Sequence, residues 1–162
     1  MRPCVRVVDA RTVEWLSPDE MLAWRRYVET NADLMAALER DLAPTGLNLG
    51  DYQVLVFLSE SPELSLRMCD LAARLQLSPS GLTRRLDGLV RASLVERRGS
   101  ASDRRVMLAA LTPKGLRLLE ESAPVHVASV RRRMIDLLDE DELHVIARVF
   151  QKIRTRLEDG TE

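Results

Sequence analysis

No stretch of this 162-residue chain stays apolar for the roughly 18 residues that a bilayer-spanning helix needs. Its start, Met1-Arg2-Pro3-Cys4-Val5-Arg6, has neither the apolar region nor the small-residue cleavage site of a secretory leader. Both absences point to the cytoplasm and to no membrane partner. Cysteine is scarce: Cys4 and Cys69 make neither a disulfide framework nor a zinc site by their spacing. The two histidines, His126 and His144, stand apart from each other and from any cysteine, so no metal site is expected. A glycine-rich phosphate cradle and a recognisable nucleophile–base–orienter set are also missing. The chain is therefore not expected to be an enzyme, and no cofactor is expected.

What is present is a segregated charge distribution. The net charge is −1 and the sequence pI near 6.2, values that do not suggest a nucleic-acid binder. Between Arg67 and Lys114, however, ten basic residues face four acidic ones, a local charge of +6, and the rest of the chain carries −7. A basic patch sits on an acidic body. A charge run is usually a solvated face, but solvation alone does not account for this separation along the sequence. The 46% hydrophobic share is enough for a packed core.

Ser17-Pro18-Asp19-Glu20 combines an N-cap serine, a proline at the first helical position and a capping-box glutamate, and so opens a first helix. Met21, Trp24, Val28, Met35, Leu38 and Leu42 continue its stripe until Pro44 and Gly46 stop it. Tyr52 to about Ser59, capped by Asn48, reads as a buried helix, although Val54 to Leu58 would also suit a buried strand. A short extended piece, Leu64 to Met68, leads to a third helix from about Cys69 to Gln76. Ser78 and Pro79 cap and start a fourth, Pro79 to Ala92, whose Leu82, Leu86, Leu89 and Val90 share one face. Two short helices joined by a tight turn form a helix-turn-helix. Leu94 to Arg98 and Arg104 to Leu111 then read as a β-hairpin with Val106, Leu108 and Ala110 toward the core. Thr112-Pro113 starts a fifth helix running to about Leu138, with a kink expected at Pro124. Asp139 to Glu142 opens a sixth, striped by Ile146, Val149, Phe150, Ile153 and Leu157. The fold class is mainly α with a small β-hairpin wing. Its long terminal helices have too little core of their own to bury against, and a second copy of the chain is the simplest partner.

The patch has two parts. Ser78, Ser80, Thr83, Arg84 and Arg85 lie at the start of the fourth helix, which suits a major groove: small hydroxyl residues allow close approach, and an arginine can bond both major-groove acceptors of guanine. Which of Arg84 and Arg85 reads a base and which holds phosphate stays open. The hairpin carries Arg97, Arg98, Asp103, Arg104 and Arg105, and an arginine on a narrow ribbon suits a narrowed minor groove. Asp103 either orients Arg105 or simply forms the loop. Trp24, Tyr27 and Tyr52 are the aromatics that could border a ligand cleft, against the commoner use of such residues as core. Cys69, at a helix start, is a candidate redox thiol set against the inert small residue that a free cysteine usually is.

Asp103-Arg104-Arg105, followed by Leu111-Thr112-Pro113-Lys114-Gly115, resembles the wing signature of the MarR family of bacterial transcriptional regulators. Leu71-Ala72-Ala73-Arg74-Leu75, Ser78 to Asp87 and Leu94-Val95-Glu96-Arg97-Arg98 are similar to the preceding blocks of that family, in order. The resemblance implies a winged helix-turn-helix core, residues 47–112, between dimerisation helices at 17–46 and 113–162, with residues 1–16 as an N-terminal arm. It implies a homodimer on a palindromic double-stranded DNA operator, usually a repressor, often released by a small aromatic effector held between lobe and dimer region. Arg105 would enter the minor groove with Asp103 as its orienting partner. Two positions depart from the pattern. Ser93 stands where the family usually has glycine, and Cys69 stands where a serine cap is common. Redox-sensing relatives generally carry their cysteine near the start of the first helix, well after Cys4.

Overall fold

The computed structural model describes residues 13–100, 103 and 105–160. The described backbone falls into two compact units that divide between Ala36 and Ala37. Six helices are described: α1 (Pro18–Leu42), α2 (Leu49–Ser59), α3 (Met68–Arg74), α4 (Pro79–Arg91), α5 (Pro113–Arg133) and α6 (Glu140–Asp159). Three short strands, β1 (Ser65–Arg67), β2 (Val95–Gly99) and β3 (Met107–Leu111), form one antiparallel sheet in the order β1-β3-β2. No described helix is long and apolar enough to cross a membrane.

The first unit holds the beginning of α1. Its capping box is complete: the Ser17 hydroxyl accepts from the Glu20 N–H at 3.3 Å, and the Glu20 carboxylate accepts from the Ser17 N–H at 2.8 Å. Two of the four N–H groups that a helix start leaves unpaired are thereby accounted for near this cap.

The second unit contains the core. Leu55 and Leu58 of α2, Leu71 of α3, Leu82, Leu86 and Leu89 of α4, Val95 of β2, Ala109 and Leu111 of β3 and Leu119 of α5 pack into one buried cluster. The ambiguous apolar run Val54 to Leu58 is helical, and the Asn48 side chain fixes where that helix starts by accepting from the Asp51 N–H at 2.8 Å. The helix consequently begins at Leu49, ahead of the expected Tyr52. The extended piece before α3 is a strand, pairing Ser65 with Ala110 and Arg67 with Leu108. That pairing makes β3 central, and it buries the adjacent Ala109 and Ala110. The expected alternation of Val106, Leu108 and Ala110 toward the core holds only at Ala110: Val106 and Leu108 are half-buried, while Ala109 and Leu111 are buried as well, as befits a strand covered on both faces.

Three other boundaries move for local reasons. β3 starts at Met107 rather than Arg104, because Val106 N–H bonds the Asp103 carbonyl at 3.0 Å and closes a turn there. α3 stops at Arg74, because Gln76 adopts a left-handed conformation with φ of 53°. α5 runs through Pro124 but ends at Arg133, where Met134 leaves helical geometry (φ −141°) and Ile135–Leu137 form a single 3-10 turn. Asp139 and Glu142 then make the expected capping box for α6.

The last turn of α1 is tied to the end of α5 through Asp41. Its carboxylate accepts from the Arg133 guanidinium at 2.7 and 2.9 Å, from Arg132 at 2.8 Å and from the Ser129 hydroxyl. The Arg133 hydrogen bonds, then that of Ser129, hold the Asp41 carboxyl far below the usual carboxylate range. A lowered folded-state pKa means that Asp41 contributes its full stability above the unfolded value, near 4, and loses it as pH falls further. Urea unfolding of wild type and Asp41→Asn should show a constant gap from about pH 7 to 5 that shrinks as pH drops below about 4. A gap that widens on acidification would contradict the assignment.

Candidate nucleic-acid interface

α4 presents its polar edge outward because its apolar residues are committed inward: Leu82, Leu86 and Leu89 are buried. Ser78 caps it, accepting from the Gly81 N–H at 3.1 Å, and lies 3.2 Å from the Ser80 hydroxyl. Thr83 is exposed and donates back to the Pro79 carbonyl at 2.9 Å, which leaves its hydroxyl oxygen free to accept. Arg84 is exposed and makes no hydrogen bond or ion pair among the described residues. Arg85 is engaged elsewhere: its guanidinium bonds Asp51 at 3.2 Å and Asn48 at 3.3 Å, at the start of α2. Gly50 leaves room for that approach, since a Cβ there would stand 2.0 Å from an Arg85 nitrogen. The two adjacent arginines, which the sequence leaves equivalent, therefore have different surroundings.

The wing begins at a left-handed residue. Ser93, exposed, has φ of 58°. Its N–H bonds the Val90 carbonyl and the Leu94 N–H bonds the Leu89 carbonyl, each at 2.9 Å, which is the Schellman arrangement. α3 ends the same way, with Gln76 bonded to Ala73 and Leu77 to Ala72. Both helices of the helix-turn-helix thus stop on a left-handed residue that is not glycine. The start of α5 grips the Ser93 joint. The Thr112 hydroxyl bonds the Ser93 carbonyl at 2.8 Å, the Thr112 N–H bonds the Leu94 carbonyl at 3.1 Å, and the Lys114 ammonium bonds the Ala92 carbonyl at 2.8 Å. Gly115 passes so close that a Cβ would lie 2.1 Å from the Leu94 oxygen, a backbone atom that cannot swing away.

Within the hairpin, Val95 pairs with Leu111 and Gly99 with Met107. Arg97 turns back to α4, bonding the Thr83 carbonyl at 2.9 Å and Asp87 at 2.8 Å. Arg98 reaches the Ser65 hydroxyl at 3.5 Å. At the tip, the Asp103 carboxylate accepts from the Arg105 backbone N–H at 2.9 Å. That contact shapes the turn that carries Arg105, whose side chain is exposed. Arg104 lies outside the described residues, as does Cys4. Sequence reasoning did not find the partners of Arg85 and Arg97 or the grip of Thr112, Lys114 and Gly115, because these pairs are 10 to 37 positions apart. The Gln76 conformation had a signal, the tight turn before Ser78.

Two of the three candidate aromatics belong to the first unit and one to the second. Trp24 and Tyr27 are exposed on α1, with ring centroids 6.0 Å apart. Tyr52 is buried in the core cluster of the other unit, 4.7 Å from the His126 ring. Burial pushes the Tyr52 phenol up and the His126 imidazole down, so both stay neutral near pH 7. His126 Nδ1 is buried without a hydrogen-bond partner among the described residues. A separate open cleft involves Phe57, Arg74 and Arg154, with the Arg74 guanidinium 5.9 Å from the Phe57 ring centre. Cys69 is exposed on the first turn of α3, its thiol 3.4 Å from the Asp70 carboxylate. No cluster of His, Cys, Asp and Glu among the described residues is suited to hold a metal ion.

Residues 45–106 match the family model described as the MarR family. Among curated relatives, the HTH-type transcriptional repressor YetL of Bacillus subtilis is 30% identical over 65% of this chain, which spans 63% of YetL's own length. AbsC, a MarR family transcriptional regulator from Streptomyces coelicolor, superposes with a TM-score of 0.87 at 41% identity, covering 91% of this chain and 99% of AbsC. Sco3205 from the same organism, solved in complex with DNA, gives 0.87 at 31% identity over 93% and 95%. CouR from Rhodococcus jostii, solved bound to p-coumaroyl-CoA, gives 0.73 at 26% over 86% and 95%.

The left-handed Ser93 strains the joint by about 1 kcal/mol, a penalty glycine does not carry. Ser93→Gly should therefore raise unfolding stability by about 1 kcal/mol in urea titrations, whereas Ser93→Val should lower it. Equal stability of all three would show that the joint carries no backbone strain.

Proposed function

Because this chain belongs to the MarR family, with its winged helix-turn-helix fold and its transcription regulators rather than enzymes, we propose that it binds a palindromic duplex operator as a homodimer in the cytoplasm and represses transcription there. The observation that carries this reading is the disposition of Arg84 and Arg105. Both are exposed, neither has a carboxylate partner among the described residues, and they lie on α4 and on the wing joined to it. In this reading Arg84, with Ser78, Ser80 and Thr83 beside it, faces the major groove, where guanidinium bonds to guanine discriminate by about 1–3 kcal/mol per good pair. Arg105 enters the adjacent minor groove, and Arg98 and Arg104 add phosphate attraction.

The homodimer rests on α6. No residue of that helix is buried, although Val145, Val149 and Ile153 recur at every fourth position. A helix with an exposed apolar stripe is satisfied by burying it against another helix. An aromatic effector that releases DNA is the remaining part of the reading. It is supported by the ligand of CouR and by the exposed aromatic pair Trp24 and Tyr27 on α1.

The test is retention of genomic DNA fragments by the purified protein, followed by sequencing and mobility assays on the recovered sites. Arg84→Ala should relax base choice inside the half-sites, and Arg105→Ala should remove preference for narrow-groove sequence beside them. Uniform weakening across all sequences by both variants would overturn the division of grooves. No retained fragment at low salt would overturn DNA binding itself.

A further inference from the structure

Arg97 is one of the basic residues that a charge count assigns to DNA, but its surroundings point elsewhere. The guanidinium extends from β2 across to α4, where one nitrogen donates to the Thr83 carbonyl at 2.9 Å and to the Asp87 carboxylate at 2.8 Å. Its Nε is buried and has no hydrogen-bond partner among the described residues. The Arg97 side chain is 29% exposed, against 50% for Asp87, so the cation is the more enclosed member of the pair. Thr83 and Asp87 are one turn apart on α4, on the same face as each other and away from buried Leu82 and Leu86. Both bonds leave one terminal nitrogen, whose two N–H groups lie in the guanidinium plane, so the plane of the side chain is set relative to α4.

We propose that Arg97 is a positioning residue that fixes the spacing between the recognition helix and the wing, and so determines which separation of major-groove and minor-groove sequence the protein accepts without itself touching DNA. The inference rests on the reading of α4 and the wing as groove probes. At its base the hairpin is fixed by the Ser93 joint and β3 is also paired with β1, but β2 lies at the open edge of the sheet, which leaves its side of the wing free to swing relative to α4. Arg97 sits midway along β2, opposite Ala109, where a restraint to α4 limits that swing. Thr83 links the brace directly to the reading edge, since its carbonyl takes the Arg97 bond and its side chain faces outward.

The sign of one substitution separates this role from simple electrostatics. Removing the carboxylate of Asp87 lessens repulsion of DNA and, for an unbraced wing, should strengthen binding. The brace predicts the reverse. Using the full chain and a site recovered from genomic fragments, Arg97→Gln, Asp87→Asn, the double variant and Arg97→Lys are compared by titration at several salt concentrations. They are compared on that site and on a copy with the wing-side flank displaced by one base pair.

Each single variant is expected to bind the selected site about tenfold more weakly, with the double no weaker than either. Discrimination between the two sites should fall toward one for Arg97→Gln and Asp87→Asn, and less far for Arg97→Lys, whose ammonium keeps the two donors but not their fixed plane. The slope of log affinity against log salt should match wild type, because no phosphate contact is lost. A slope reduced by about one for Arg97→Gln, with unchanged discrimination, would show that Arg97 holds a phosphate and overturn the proposal. Tighter binding by Asp87→Asn would overturn it as well. Loss of thermal stability with unchanged discrimination would reduce the pair to a structural contact. If wild type binds no DNA, it is the underlying reading that fails, and the two failures are thereby distinguished.

Discussion

The Leu94 carbonyl is the point on which the wing depends. It accepts the Thr112 N–H at 3.1 Å, has the Thr112 hydroxyl also at 3.1 Å, and lies against the bare Cα of Gly115. Through that one peptide group the end of α4, the start of β2, the end of β3 and the start of α5 are held together. Gly115 is required there by space rather than by backbone angle, because its φ is not in the left-handed region and the obstacle is a backbone oxygen. Ser93, one residue earlier, supplies the left-handed turn that brings this oxygen into place. Geometry at the wing tip thus depends in part on a joint some ten residues away, while Asp103 makes the local turn beside Arg105.

Five arginines of the basic patch illustrate why charge alone does not define an interface. Arg84 and Arg105 extend outward, Arg98 reaches a serine hydroxyl, and Arg85 and Arg97 are each bound to a carboxylate on a neighbouring element. An exposed ion pair typically contributes little to stability, roughly 0–1 kcal/mol. Its value lies in direction: Arg85 sets α4 against the start of α2, and Arg97 sets the wing against α4. In the proposed reading the same residue type reads DNA in one place and aligns elements in another, and only the partner tells them apart.

The sequence made the elements and their faces legible where the signal was local. Ser17, Asn48, Ser78, Thr112 and Asp139 are caps that a four-residue window reveals, and all five accept the expected backbone N–H. The inward set Leu82, Leu86 and Leu89 followed from helical spacing alone. What stayed hidden depended on distant contacts. β1 has only three residues and no meaning without β3, so its burial of Ala109 and Ala110 was not readable from alternation. The end of α5 at Arg133 follows from the backbone at Met134, which no breaker residue announces. Arg84 and Arg85 differ by one position, and neither has a local feature that would mark Asp51 as the partner of the second.

Charge segregation has a further consequence once these partners are known. Two of the four acidic residues within the basic segment are committed to a partner there: Asp87 holds Arg97, and Asp103 accepts from the Arg105 backbone N–H. Asp51, outside that segment, holds Arg85. Carboxylates near a DNA-facing surface cost attraction to phosphate, and that cost falls within a Debye length of about 10 Å at ordinary salt. Their retention there is reasonable where each fixes a backbone or a guanidinium whose position determines the fit. The patch gives up some non-specific affinity, which scales with net positive charge, and gains a defined shape. Selectivity for a sequence over the bulk of duplex DNA depends on the second quantity more than on the first.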